Sequence, residues 1–122
     1  SLQSVRTFQD TRDAIRAYYL LALESYKCNV PPGETFNIAG EEAFKLTEVV
    51  EIILSMSTRS DIKVETDQAR LRPIDADYQM FDNTKIRNAI DWKPQIPARK
   101  MFQDLLDHWR HEISMGKLPL SR

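Results

Sequence analysis

The sequence predicts a small mixed α/β domain, one unit over residues 1–122, with about four helices and two or three short strands. Helical periodicity of the apolar residues in four segments and strand-like patterns in two others predict this class. A length of 122 residues suits one domain, and no internal repeat interrupts the order helix, strand, helix, strand, loop, helix, helix. Two short strands make a thin sheet, so we expect the domain to pack against something larger.

The first predicted helix covers residues 10–29, "DTRDAIRAYYLLALESYKCN". Asp10 or Thr11 can cap its start, and we expect it to end before Pro31. Apolar side chains lie on nearly its whole circumference and leave only a narrow charged edge. We therefore expect this helix to be buried on two sides, with Cys28 as a small buried apolar residue.

Two segments predict strands on either side of a second helix. Residues 34–40, "ETFNIAG", leave a turn and close on a glycine. Residues 45–56, "KLTEVVEIILSM", repeat apolar residues at helical spacing with glutamates on the other face, as in a helix with one buried side. Residues 61–65, "DIKVE", alternate apolar and polar residues as a half-buried strand does.

Two further helices complete the predicted fold. Residues 82–92, "DNTKIRNAIDW", fit a short helix capped by Asp82 and stopped by Lys93-Pro94. The most regular helix is predicted over residues 98–115, with Gly116 as its C-terminal cap. Its apolar residues form one stripe: Phe102, Leu105, Leu106, Trp109 and Ile113.

The composition argues against nucleic-acid and membrane binding. Seventeen basic and eighteen acidic side chains give a formal net charge of -1, without the field of one sign that a polyanion binder needs. The longest apolar run, residues 17–23, is far too short to span a bilayer. A single cysteine cannot form an internal disulfide, which fits a reducing compartment. We expect a cytoplasmic protein.

The sequence lacks the common catalytic and cofactor motifs. Its three glycines, Gly33, Gly40 and Gly116, are too widely separated for a G-x-G-x-x-G turn or a phosphate-binding P-loop. No tyrosine has a lysine four residues later, so a Tyr-x-x-x-Lys pair is also missing. His108 and His111 lie away from the centre of the apolar stripe and are expected at the surface. We therefore predict no metal site, no catalytic residue and no cofactor bound by this chain alone.

The stretch "ARLRPIDADYQMF", residues 69–81, suggests a ligand. Pro73 disfavours a helical conformation at Arg72, so Arg70 and Arg72 are expected on one face of an extended chain. Two guanidinium groups on one face match the oxygens of a diphosphate. Asp75 suits the hydroxyl groups of a ribose, and together these groups indicate a nucleotide.

A surface loop of salt bridges explains the same composition. Four aspartates accompany the two arginines: Asp67, Asp75, Asp77 and Asp82. Arg70 in particular can pair with Asp67 or Asp77. The residues of the loop by themselves leave both interpretations open.

Four stretches together resemble the C-terminal part of extended short-chain dehydrogenases that modify nucleotide sugars, most closely GDP-mannose 4,6-dehydratase and the GDP-4-keto-6-deoxymannose reductases. "VRTFQDTRDAIRAYYLLAL" resembles R-D-F-x-D-V-R-D-V-V-x-A-Y-W-L-L, and "ETFNIAG" resembles Y-N-I-G-S-G. "RLRPIDADYQMFDNTKIRNAIDWKP" resembles R-x-R-P-x-D-V-x-x-x-x-G-D-x-x-K-x-x-x-x-L-G-W-x-P, and "LLDHWRHEI" resembles the closing D-L-L-D-Y-W-R helix. The four stretches span nearly the whole chain in the order that the family has them.

The resemblance implies a division of labour between two lobes. In such enzymes an N-terminal Rossmann lobe carries the dinucleotide, NAD(P), and the catalytic Tyr-x-x-x-Lys, and a smaller C-terminal lobe holds the nucleotide sugar. This chain resembles the second lobe alone, with the Rossmann lobe as its missing partner. Arg6 and Arg72 match arginines that contact the diphosphate, Asp75 matches the acidic residue that binds the ribose, and Arg70 is a further candidate.

We therefore expect the substrate-binding lobe of a GDP-sugar dehydratase or reductase, unable to catalyse alone. One alternative is the corresponding lobe of an epimerase or dehydratase that acts on UDP- or dTDP-sugars. Another is a free-standing, non-catalytic interaction module that forms a homodimer through the exposed apolar surface of the first helix.

Overall fold

The computed structural model describes residues 2–70 and 76–117, which form four α-helices and three short strands. The side chain of Arg70 also lies outside the description. The elements in chain order are β1 (Val5–Thr7), α1 (Thr11–Tyr26), β2 (Ala43–Lys45), α2 (Leu46–Ser55), a 3₁₀ turn (Gln68–Arg70), β3 (Tyr78–Gln79), α3 (Thr84–Ala89) and α4 (Ala98–Ser114). The predicted fold class, a small α/β unit of four helices and a few short strands, is confirmed.

The three strands form one mixed sheet with β1 at its centre, in the order β2-β1-β3. β1 pairs antiparallel with β2, so that Arg6 lies opposite Phe44. β1 pairs parallel with β3, so that Val5 lies opposite Tyr78 and Arg6 opposite Gln79. Segments that are distant in the sequence therefore meet at β1.

The two strands predicted from the sequence are wrong. Residues 34–40 and 61–65 are irregular, and neither pairs with a strand among the described residues. Residues 61–65 are exposed throughout, so their alternation has no core to face. The sheet is built instead from runs of two or three residues, which are too short to give a period-2 signal.

The predicted helix starts were mostly accurate, because capping chemistry is local. The Asp10 carboxylate accepts a hydrogen bond from the Arg12 backbone N–H at 2.8 Å and caps α1. The Asp82 carboxylate accepts from the Thr84 backbone N–H at 2.8 Å, although α3 itself begins only at Thr84. At α2, the Glu48 carboxylate accepts from the Lys45 backbone N–H at 2.7 Å.

Cys28 is not buried, contrary to the prediction, because α1 ends before it. Tyr26 is the last helical residue, and Cys28 is exposed with a left-handed φ of 61°. The Cys28 N–H donates to the Ser25 carbonyl at 3.0 Å and the Asn29 N–H to the Glu24 carbonyl at 2.9 Å. These two bonds form a Schellman cap, in which glycine is the usual residue at the position of Cys28.

The same cap closes α4, where Gly116 occupies the left-handed position with φ of 77°. The Gly116 N–H donates to the Ile113 carbonyl and the Lys117 N–H to the Glu112 carbonyl. The prediction that Gly116 caps this helix is confirmed. The chain thus contains one Schellman cap with glycine and one with cysteine.

The described residues form two small apolar cores. The first joins α1 to α3 and contains Ala17, Val30, Ile86, Ile90 and Trp92. The second joins α2 to α4 around Val49, Ala98 and Phe102. Phe8 and Phe44 pack edge to face with Phe102, with ring centroids 5.3 and 6.2 Å from it.

Much apolar surface remains exposed on α1 and α4. Of the predicted stripe on α4 only Phe102 is buried, whereas Leu105, Trp109 and Ile113 are 49%, 41% and 53% exposed. On α1, Ala17 is buried but Tyr18 and Tyr19 are exposed. α1 therefore buries only one of its two apolar sides within the described part of the chain.

Asp13 ties α1 to the segment that leads into α4. One carboxylate oxygen of this buried residue accepts hydrogen bonds from the backbone N–H groups of Gln95 and Ile96, each at 2.9 Å. The other oxygen accepts from Arg16 at 2.9 Å. The Trp92 indole N–H donates to the Asp13 backbone carbonyl at 3.0 Å. Each of these bonds except the Arg16 pair joins residues about eighty positions apart in the sequence.

Gly40 packs against the chain just after β1. A Cβ atom at Gly40 would lie 1.8 Å from the Phe8 carbonyl oxygen, far inside contact distance. The Asn83 side-chain amide donates to the neighbouring Ala39 carbonyl at 3.0 Å. Together these contacts hold the chain around residue 40 between β1 and α3.

Candidate functional site

Arg6 is the one predicted site residue whose side chain the structure describes. It lies on β1, the central strand, and is half-buried between its two neighbours in the sheet. Its Nη1 donates to the Val5 carbonyl at 2.8 Å. The fold thus places Arg6 on the central strand of the sheet rather than on an edge strand.

The segment that contains Arg70, Arg72 and Asp75, which we call the arginine loop, precedes β3 in the sequence. β3 is the neighbour of β1, the strand of Arg6. Before the loop, the Asp67 carboxylate accepts from the Ala69 backbone N–H at 3.0 Å, which starts the 3₁₀ turn Gln68–Arg70. After the loop, the Val5 N–H donates to the Asp77 carbonyl at 2.8 Å. Arg72 and Asp75 lie outside the described residues, as does the side chain of Arg70.

A broad depression adjoins the end of β3. Its volume is about 470 Å³, and it is lined by Gly40, Glu41, Met80, Phe81, Asp82, Asn83 and Arg87. Glu41 and Arg87 form an ion pair at its rim, and both side chains are about half exposed. Met80 and Phe81 contribute exposed apolar surface. The depression combines apolar walls with charged groups of both signs.

The charged residues at the start of α1 have a structural role. The Arg12 guanidinium donates two hydrogen bonds to Asp10 and lowers the pKa of that buried carboxyl, against the opposing effect of burial. Arg12 also reaches Asp104 on α4 at 2.6 Å. Burial raises the pKa of Asp13. The hydrogen bonds from Arg16 and from the backbone N–H groups of Ile96 and Gln95 lower it by more, so the pKa of Asp13 lies below its ordinary value.

The two histidines lie on the exposed side of α4, as expected from the sequence. His108 contacts the ring of Trp109 edge to face, with centroids 5.6 Å apart. Across residues 2–70 and 76–117, no group of three or more His, Cys, Asp or Glu side chains is arranged to hold a metal ion. Within the same residues, no helix is long and apolar enough to cross a bilayer.

Sequence reasoning missed several long-range contacts of polar side chains. Asn83 and Lys85 each reach back more than forty positions, to the carbonyls of Ala39 and Thr35. The sequence assigns Asp13 no role, although it is 2% exposed and accepts three hydrogen bonds. No motif in the sequence identifies the distant partners of these side chains.

Comparison with known proteins gives a family and a fold. The family model for GDP-mannose 4,6 dehydratase matches residues 1–105. The solved structure of RMD from Pseudomonas aeruginosa complexed with NADPH has a TM-score of 0.75 and 20% sequence identity. The match covers 92% of this chain but only 35% of that chain. At this level of identity the structural match establishes the fold, and this chain spans about a third of the length of the protein it resembles.

Proposed function

This chain belongs to the GDP-mannose 4,6 dehydratase family, and from that premise we propose that it is the substrate-binding lobe of a GDP-sugar dehydratase or reductase. The lobe anchors the nucleotide diphosphate and thereby positions the hexose for chemistry performed elsewhere in the full-length enzyme. A complete enzyme of this kind would be cytoplasmic, in keeping with the single cysteine of the chain.

The parallel pairing of β1 with β3 is the observation that carries this proposal. It places the strand of Arg6 beside the strand that continues the arginine loop, with Arg6 opposite Gln79. The described chain resumes at residue 76, and the Asp77 carbonyl accepts a hydrogen bond from the Val5 N–H at 2.8 Å, so the strand that follows the candidate residues in the sequence is joined to β1.

In this proposal the arginines bind phosphate and the aspartate binds ribose. Arg6 and Arg72 each direct guanidinium N–H groups to the oxygens of the diphosphate. Asp75 accepts hydrogen bonds from the ribose hydroxyl groups. Arg70 is a third candidate for a phosphate contact.

The residues of this chain do not fit NAD(P). The dinucleotide needs a turn with closely spaced glycines, and here the glycines are isolated, Gly40 being packed against a carbonyl oxygen. In the proposed enzyme NAD(P) would be bound by the missing Rossmann lobe. No step of catalysis is assigned to this chain.

Titration with nucleotides tests the proposal. GDP should bind, and Arg72→Ala and Arg6→Ala should each weaken binding by about 10-fold or more, because a hydrogen bond to a charged group contributes about 1.5–3 kcal/mol. Arg59→Ala is a matched control, since Arg59 is an exposed arginine whose ion pair among the described residues is with Asp61 at 2.6 Å. Equal losses in all three variants, or no binding of GDP by the full-length enzyme, would contradict the proposal.

Titration of the same samples with UDP and dTDP tests the alternative that the chain is the lobe of an epimerase or dehydratase acting on UDP- or dTDP-sugars. Tighter binding of either one than of GDP would assign the chain to that class.

A non-catalytic interaction module is favoured by one observation, the exposed apolar side chains of α1 and α4. This alternative predicts a tight homodimer of the 122-residue chain together with no binding of any nucleotide. Sedimentation measured on the samples used for titration distinguishes it from the substrate-binding lobe.

A further inference from the structure

Gln79 of β3 is the cross-strand neighbour of Arg6. The parallel pairing of β1 with β3 sets Gln79 opposite Arg6 and Tyr78 opposite Val5. Residues that lie opposite each other in a ladder direct their side chains to the same face of the sheet, and successive residues of a strand alternate between the two faces. The side chains of Arg6 and Gln79 therefore leave the sheet on one face, and those of Val5 and Tyr78 leave it on the other.

Phe44 of β2 is the neighbour of Arg6 on the other side of the same face. The antiparallel pairing of β1 with β2 sets Phe44 opposite Arg6. The Phe44 ring is half-buried and packs edge to face against Phe102 of α4, with ring centroids 6.2 Å apart, and against Phe8, with centroids 6.3 Å apart. This apolar cluster fills the space beside Arg6 in the direction of β2.

The side of Arg6 that faces β3 differs, because Gln79 is exposed. Its side-chain amide forms no hydrogen bond with any group in residues 2–70 and 76–117. Two amide N–H groups and one amide oxygen are therefore available to a ligand that approaches Arg6 from this direction. On the face that carries Arg6, a polar ligand meets an aromatic wall toward β2 and hydrogen-bond donors toward β3.

The spacing of the two side chains suits a phosphate group. Neighbouring strands lie about 4.8 Å apart, so the Arg6 and Gln79 side chains start from the sheet at about this separation. Both end in N–H donors, and each phosphate of a nucleotide presents several acceptor oxygens. One phosphate group, or two joined as a diphosphate, can therefore accept hydrogen bonds from both side chains.

We propose that the side-chain amide of Gln79 donates a hydrogen bond to the diphosphate that Arg6 binds, which makes Gln79 a further substrate-binding residue. This inference rests on the proposed function, because it takes the ligand of Arg6 to be a nucleoside diphosphate. Gln79 holds the phosphate on the β3 side of Arg6, across from the wall that Phe44 forms. Its neutral amide adds a directed bond without adding a second positive charge to this pair of strands.

Titration of the full-length enzyme with GDP tests the proposal. Gln79→Leu removes the amide N–H groups and should weaken GDP binding by about 10-fold, the loss expected for one hydrogen bond to a charged group. Gln103→Leu is the matched control, since it makes the same substitution on α4, where the amide donates to Asp107 at 2.9 Å. This control should bind GDP as tightly as the wild type.

Two charged variants at the same position separate a phosphate contact from a structural role. Gln79→Lys supplies a donor with a positive charge and should bind GDP at least as tightly as the wild type. Gln79→Glu places a carboxylate against the phosphate and should bind GDP more weakly than Gln79→Leu does, because the two anions repel each other. Gln79 is exposed, so the urea midpoints of all three variants should equal that of the wild type.

The outcomes distinguish this inference from the proposed function. If the wild type binds GDP and Gln79→Leu binds it as tightly as Gln103→Leu does, Gln79 does not contact the phosphates, and the proposed function still stands. Equal affinities of the Lys and Glu variants for GDP would likewise overturn the inference alone. If the wild-type enzyme binds no GDP, the proposed function fails and this inference fails with it.

Discussion

Replacement of Asp13 by alanine should destabilise the protein by about 3 kcal/mol. The carboxylate is buried and accepts three hydrogen bonds, two of them from the backbone N–H groups of Gln95 and Ile96. Hydrogen bonds to a charged group contribute about 1.5–3 kcal/mol each, and water reaches part of this site after the change, so we take the lower end for two of them. For a domain of this length the corresponding fall in Tm is about 10 °C.

The geometry also predicts the effect of Asp13→Asn. One carboxylate oxygen receives both backbone N–H groups, and the other receives Arg16. An asparagine that keeps its oxygen on the backbone side places its NH₂ group against the Arg16 guanidinium. It therefore retains two bonds and loses the ion pair, and we expect a loss of about 1–2 kcal/mol.

Urea unfolding followed by tryptophan fluorescence measures both variants. Trp92 is 3% exposed and donates to the Asp13 backbone carbonyl, so its emission reports on this contact. Trp109→Phe in every sample removes the exposed tryptophan. Asp107→Ala, which breaks an exposed pair with Arg110, is the control and should change stability by less than about 0.5 kcal/mol. If Asp13→Ala changes stability no more than this control does, then Asp13 does not tie α1 to the segment before α4.

Three further predictions concern the caps, a close backbone contact and pH. Cys28→Gly should stabilise the protein by about 1 kcal/mol, because glycine adopts the left-handed conformation without strain. Gly116→Ala should destabilise the protein for the same reason. Thermal unfolding of the two variants measures both changes. Gly40→Ala should lower the free energy of unfolding by about 3 kcal/mol, because the added methyl group would collide with the Phe8 carbonyl oxygen. If the variant unfolds at the same urea concentration as the wild type, or at a higher one, the close contact is contradicted. Folding lowers the pKa values of Asp10 and Asp13, so their ionised carboxylates stabilise the folded state. This stabilisation is complete above the unfolded-state pKa of about 4 and is lost as the pH falls through the lower folded-state pKa values. Acid titration of wild type against Asp13→Ala should therefore show a smaller loss of stability in the variant.

The exposed apolar faces show that helical periodicity predicts a helix better than it predicts burial. The periodicity on α1 and α4 correctly indicated helices, but it overestimated burial, because Trp109, Ile113 and Tyr18 remain exposed. Apolar spacing shows which side chains share one face of a helix, and it does not show whether another element covers that face. Residues 34–40 show the same effect: their sequence has a strand-like pattern, but they pair with no strand among the residues that the structure describes.

The sequence by itself determined the α/β class, the four helices, the caps at Asp10 and Gly116, and membership in a nucleotide-sugar enzyme family, because these depend on local periodicity, capping chemistry and ordered motifs; the cap predicted at Asp82 is wrong, since Asn83 is the N-cap of α3. Only the tertiary structure decided which strands pair, that Arg6 lies on the central strand beside β3, and that Asp13 holds residues 95 and 96. The physical reason is that these contacts join segments some forty to eighty residues apart through a few hydrogen bonds each. Bonds of that kind leave no period in the sequence, and only packing of the cores brings their partners together.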